Sequence, residues 1–151
     1  MSVIINTINH TFSRALRNRR NTKRIIIHHS AGNDVPAATI HQWHRQRNWA
    51  GIGYHFVIRQ NGSIETGRPE NTIGAHAGKA NNDSIGICLT GNFETSLPAG
   101  AQITSLVGLI RHLQGKYGAG LSISGHSDHM ATACPGKNFP MQRVLGMVDS
   151  D

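Results

Sequence analysis

The hydrophobic period of this chain changes several times along its length, and a chain alternating strand-like with helix-like stretches has few architectures open to it. Lys23 to His29 is rich in isoleucine and lies between Asn21-Thr22 and Ala31-Gly32-Asn33, which predicts a buried strand ending in His28-His29-Ser30. Asp34 as N-cap, Pro36 near the first turn, and Ile40, Trp43 and Arg47 on one face predict a helix to Asn48. The period then becomes two. Tyr54, Phe56 and Ile58 alternate with His55, Val57 and Arg59, Asn61-Gly62 supplies a turn, and Ser63 to Thr66 returns as the second arm of a hairpin. Ser84 to Leu89 reads as a further apolar strand, Ala101 to Tyr117 as a helix through Ile103, Leu106, Val107, Ile110 and Leu113, Leu121 to Ser124 as a short strand, and Phe139 to Val148 as a closing helix. The expected fold is α/β: one domain with a central mixed β-sheet flanked by α-helices.

Size agrees. The chain has 151 residues, 38% of them hydrophobic, and a domain of that length buries roughly 70% of its extended surface. The longest unbroken apolar runs, such as Ile25 to Ile27, fall far short of the roughly 20 residues of a transmembrane helix. No basic, apolar and small-residue segments follow one another at the start as in a Sec signal peptide. The expectation is cytoplasmic synthesis, with any action outside needing another exit. Two cysteines, Cys88 and Cys134, are too few for a disulfide scaffold and are free for metal or packing.

The net charge of +7 is concentrated at one end. Arg14, Arg17, Arg19, Arg20, Lys23 and Arg24 stand in the first 24 residues without an acid. Ile5, Ile8, Phe12 and Leu16 recur at spacings of three and four, so residues 3–19 are expected to form an amphipathic basic helix. This divides the chain into a basic helical arm, 1–21, and a domain, 22–151. Such an arm either packs on the domain with a solvated basic side or lies on an anionic surface. A nucleic-acid arm is disfavoured, because no aromatic besides Phe12 interleaves with the arginines.

Three pieces carry chemistry: His28-His29 at a strand end, His126-Ser127-Asp128-His129 after another strand, and Cys134-Pro135-Gly136 beyond it. Imidazole and thiolate ligands suit tetrahedral zinc, and three protein ligands leave a fourth position open, the mark of a catalytic site. Neighbours in a strand face opposite ways, so at most one of His28 and His29 meets such a metal. The spacing matches no local zinc-finger pattern, and residue types alone leave the metal open.

The stretch Ile25 to Ala31, then Trp49 to Ile58, Asn61-Gly62, Gly74-Ala75-His76, Asn81, Ser84 to Gly91, Gly125-His126 and Ala133-Cys134-Pro135 resembles the type-2 N-acetylmuramoyl-L-alanine amidases. That family includes phage lysins and animal peptidoglycan-recognition proteins. The likeness runs from Thr22 to Leu145 with its blocks in order. It implies a peptidoglycan-recognition-protein-like zinc amidase fold, one Zn2+ per chain held by His28, His126 and Cys134, and hydrolysis of the amide between N-acetylmuramic acid and L-alanine of the stem peptide, as in a phage endolysin. It places Tyr54 beside the metal as an orienting or oxyanion-bracing hydroxyl, and His76 and Asn81 in the substrate groove, with loop-bracing hydrogen bonds as the alternative for both. A non-hydrolytic wall-binding protein, or a polymerase regulator, of the same fold is the competing reading. In the non-hydrolytic recognition proteins the ligand cysteine is typically replaced, whereas here Cys134 is present. The expected partners are peptidoglycan and, through the arm, an anionic envelope surface, with the protein acting as a monomer.

Two positions depart from parts of the family. Thr132 stands where lysozyme-type phage enzymes carry lysine, and is assigned as an uncharged oxyanion donor. Cys88 stands where some bacterial relatives place glutamate, and its apolar strand predicts a core role. His41, His44 and His55 are expected to be structural, His129 an ordinary loop histidine and His112 an exposed one.

Overall fold

The computed structural model of the protein describes residues 3–150. Its elements are β1 (Ile5–Asn6), β2 (Arg24–His29), α1 (Ala37–Gln46), β3 (Phe56–Ile58), β4 (Ile64–Thr66), β5 (Ser84–Leu89), α2 (Gly100–Tyr117), β6 (Ser122–Gly125) and α3 (Met141–Asp149), with short 3-10 turns at Gly78–Asp83 and His126–Asp128. The strands form one six-stranded sheet in the order β1-β4-β3-β5-β2-β6. Among the described strands only β3 and β4, a hairpin, pair antiparallel; β2 runs parallel to both β5 and β6. The mixed sheet is as expected.

Alternation along the strands divides the interior in two. Ile25, Ile27, Ile85, Ile87, Leu89, Phe56 and Ile58 pack with Ile103, Leu106, Leu109, Ile110 and Leu113 of α2 and with Val144 and Val148 of α3. On the other face Val57 and Cys88 meet Ala37 and Ile40 of α1 and Ile52 of the following loop. β2 and β5 are buried along nearly their whole length, which is why they read as continuous apolar runs.

Residues 3–19 form no helix, which corrects the helical arm. The segment is extended: Ile5 and Asn6 pair with Ile64 and Glu65 at the sheet edge, Ser13 N–H donates to Ala50 O (2.9 Å), and Asn18 bridges Thr72. β-Branched residues and Asn at positions 4 to 9 are poor helix formers, and the open edge of β4 offers backbone partners that an isolated helix cannot match. Ile5 and Phe12 still pack inward, as an extended strap rather than a helix face. Arg19 is buried and donates to Glu70 O (2.6 Å) and Thr72 O (2.9 Å), so part of the basic charge is internal.

Asp34 does not cap α1 either. Its carboxylate accepts from Arg59 (2.9 Å) and Thr90 Oγ1 (2.6 Å), and the Arg59 bond holds its pKa down at about 2. The free N–H of Ala37 at the helix start donates to Glu65 Oε1 of β4 instead (2.8 Å). No described helix is long and apolar enough to cross a membrane.

Candidate metal centre and active site

β2 and β6 lie side by side and parallel, with Ile27 opposite Gly125, so His28 and His126 leave the same end of the sheet together. The carboxyl ends of strands in such sheets are where ligands bind. The loop after β6 folds back by Ser127 N–H donating to Cys134 O (2.8 Å), bringing Cys134 Sγ to 3.7 Å from His28 Nδ1. One ligand atom each of His28, His126 and Cys134 lies within 4.8 Å of the others. The backbone N–H of His29 donates to Cys134 Sγ at 3.4 Å, a bond suited to a thiolate.

The donor set fits zinc on chemical grounds. Burial pushes the Cys134 thiol up to about 11, so a thiolate there at neutral pH requires a cation beside it. His28 is fully buried, and desolvation drives its pKa well below the ordinary value, leaving a neutral ring with a lone pair to offer. His126 is half-buried and shifted the same way, chiefly by desolvation. Two imidazoles and one thiolate are a catalytic zinc set with one position left over.

His29 faces away, as alternation requires. Its Nδ1 accepts from Phe93 N–H at 3.0 Å on the α2 side of the sheet. His129 bonds Ser124 Oγ at 2.8 Å and stays out of the cluster. His41 Nδ1 accepts from Ile52 N–H, His44 Nδ1 from Gly53 N–H, and His55 Nδ1 from Gly86 N–H, so all three brace backbone.

Tyr54 sits with its ring 4.9 Å from that of His28. Its hydroxyl is desolvated and lies near the Cys88 and Cys134 sulfurs, which holds its pKa well above 10 and keeps it a donor. Cys88 is wholly buried, with its thiol pKa raised mainly by burial, and belongs to the core on the α1 face. Thr132 is exposed beside the cluster, and its Oγ1 accepts from Cys134 N–H at 3.3 Å, which leaves its own proton to give.

His76 is 7% exposed and lies behind His28, with its Nδ1 2.8 Å from His28 Nε2. The Oδ1 of Asn81 accepts from the N–H groups of His76 (2.9 Å) and Ala77 (2.8 Å), so that end of the side chain braces the loop. Arg68 passed unnoticed in the sequence. Its buried guanidinium donates to Ile52 O, Gly51 O and Ile73 O and so fixes the loop leading into Tyr54, a role with no local sequence signal.

Fold and pocket together define a class: an α/β protein with two histidines and one cysteine, placed so that they could hold a metal ion, at the carboxyl end of its central strands. Within that class the chain belongs to the N-acetylmuramoyl-L-alanine amidase family, Amidase_2, which matches residues 18–137. It is 35% identical over 133 residues to the endolysin of Enterobacteria phage K11, covering 83% of this chain and 86% of that protein. Peptidoglycan-recognition protein SC2 of Drosophila melanogaster is 40% identical over 125 residues, 76% of this chain and 68% of that one. Among solved structures, the N-acetylmuramoyl-L-alanine amidase LysC from Clostridium intestinale URNW superposes with a TM-score of 0.95 at 37% identity, covering 99% of this chain and 100% of that chain.

Proposed function

We propose that this protein is a peptidoglycan amidase of the endolysin type, cutting the amide between the lactyl group of N-acetylmuramic acid and L-alanine of the stem peptide. The observation that carries the reading is the convergence of His28, His126 and Cys134 on one point in a chain of this family. Zinc held by these three residues would supply a Lewis acid that polarises the scissile carbonyl and lowers the pKa of water to roughly 7.

The chain's own groups then divide the remaining work. Tyr54, kept protonated by desolvation, donates a hydrogen bond toward the reacting centre and orients what binds there. Thr132 offers a second, uncharged donor from the exposed side, where a tetrahedral oxyanion develops. Cys88, a neutral buried thiol, moves no proton, so general-base chemistry is not supplied from that strand position. The exposed Arg14, Arg17, Arg20 and Lys23 extend the proposal to an anionic envelope surface, an attraction screened beyond about 8 Å at physiological salt.

Mass spectrometry of digested peptidoglycan tests the bond. The expected products are free stem peptides beginning with L-alanine and peptide-free glycan. Disaccharide-peptides left intact, or glycan cut between sugars, would contradict the assignment.

A further inference from the structure

His76 is held more elaborately than loop bracing needs. Its ring occupies a slot kept open by two glycines: a Cβ on Gly86 would lie 2.7 Å from His76 Cγ, and one on Gly74 2.7 Å from His76 Cδ2. Both nitrogens of the ring are engaged. Nδ1 faces His28 Nε2 at 2.8 Å, and Nε2 faces Ser84 Oγ at 3.1 Å.

The directions of these bonds follow from counting protons. Ser84 has one hydroxyl proton and donates it to Ala80 O at 2.6 Å, at the end of a 3-10 turn. Its oxygen therefore accepts from His76 Nε2–H. With that proton placed, His76 Nδ1 is the acceptor, and the single proton between the two facing nitrogens belongs to His28 Nε2. The remaining nitrogen of His28, Nδ1, points its lone pair at the cluster, 3.7 Å from Cys134 Sγ.

We propose that His76, anchored by Ser84, is a positioning residue that locks His28 in its Nε2–H tautomer and so presents Nδ1 to the metal. The backbone carbonyl of Ala80 is the fixed end of the relay, and Gly74 and Gly86 make the room for it. Partners of this kind, one step behind a ligand, typically change metal affinity 10- to 100-fold when removed. The proposal rests on the reading that His28, His126 and Cys134 hold zinc.

Two measurements on the full-length protein test it. In wild type, long-range 1H–15N correlation spectra of the histidine rings should show both His28 and His76 protonated at Nε2; His76 protonated at Nδ1 would overturn the relay without any variant being made. Zinc affinity, read by competition with a chromophoric chelator, should fall about 10- to 100-fold in His76→Leu. It should be largely kept in His76→Gln, whose amide oxygen can accept from His28 and whose amide nitrogen can donate to Ser84. Equal losses in the two variants would make His76 a mere filler of its slot, and undiminished affinity in His76→Leu would remove it from the site. Should His76→Leu fail to fold, Ser84→Ala carries the same test: it should weaken zinc by a smaller factor, and wild-type affinity would overturn the anchor. Absence of zinc from the wild-type protein would instead overturn the reading of the metal site, a result that metal analysis separates from the tautomer result.

Discussion

His29 has the same side chain as its neighbour His28 but faces the α2 side of the sheet, where its Nδ1 is bonded to Phe93 N–H. Single substitutions should therefore separate them. Cys134→Ser and His28→Ala are expected to lose zinc and hydrolysis together, whereas His29→Ala should keep full zinc stoichiometry by elemental analysis; loss of metal in His29→Ala with retention in His28→Ala would put the cluster on the wrong face. Thr132→Ala tests the proposed donor, since removing one such hydrogen bond typically lowers turnover about 100- to 1000-fold. The fall should appear in kcat with KM little changed, and an unchanged kcat would exclude Thr132 from the chemistry. At this scale strand alternation was legible in the residues themselves, while the cluster of His28, His126 and Cys134 was legible only through the family resemblance. The part played by His76 was not legible, because it depends on Ser84 and Ala80 closing a turn that no periodicity announces.

Strands and helices whose partners lie within their own pattern were readable: β2, the β3–β4 hairpin, β5 and α2 fall where apolar spacing puts them. The strap of residues 3–19 was not, because its three- and four-residue spacing is also what an extended chain shows when it dips into the domain irregularly, and the free edge of β4 decided between the two. The cap of α1 was equally hidden. Glu65 stands 28 residues after Ala37, and only the folded sheet brings its carboxylate to the helix N-terminus. Replacing a helix-capping acceptor by alanine typically costs about 1 kcal/mol, so Glu65→Ala should lower stability by that amount in urea unfolding while Glu65→Gln, which keeps an oxygen acceptor, loses less. Equal losses would show that the Arg59 ion pair at 3.5 Å, not the cap, is what Glu65 contributes.

For the molecule as a whole, buried neutral histidines set the acid limit of the fold. His55 is 1% exposed, accepts from Gly86 N–H and donates to Thr72 O, and burial is the main cause lowering its pKa to about 4. The unfolded ring titrates near 6.5, so the unfolded state takes up the proton first. Its contribution is complete above that pH, declines as pH falls toward 4, and levels off below, on the order of 3 kcal/mol in all. His44, also lowered to about 4 chiefly by burial, acts in the same direction. Urea unfolding of zinc-free protein should therefore show lower stability at pH 4.5 than at pH 7; equal stability would mean these rings are not held neutral.

In the proposed function, hydrolysis depends on one zinc held by His28, His126 and Cys134, whose ligand atoms lie within 4.8 Å of one another. Titrating zinc into chelator-stripped protein, with hydrolysis of isolated peptidoglycan and far-ultraviolet circular dichroism followed together, tests it most directly. The stripped protein should be folded but inactive, since a core of this size does not depend wholly on metal, with activity rising linearly and ending at about one zinc per chain. Full hydrolysis by protein shown to contain no metal would contradict it.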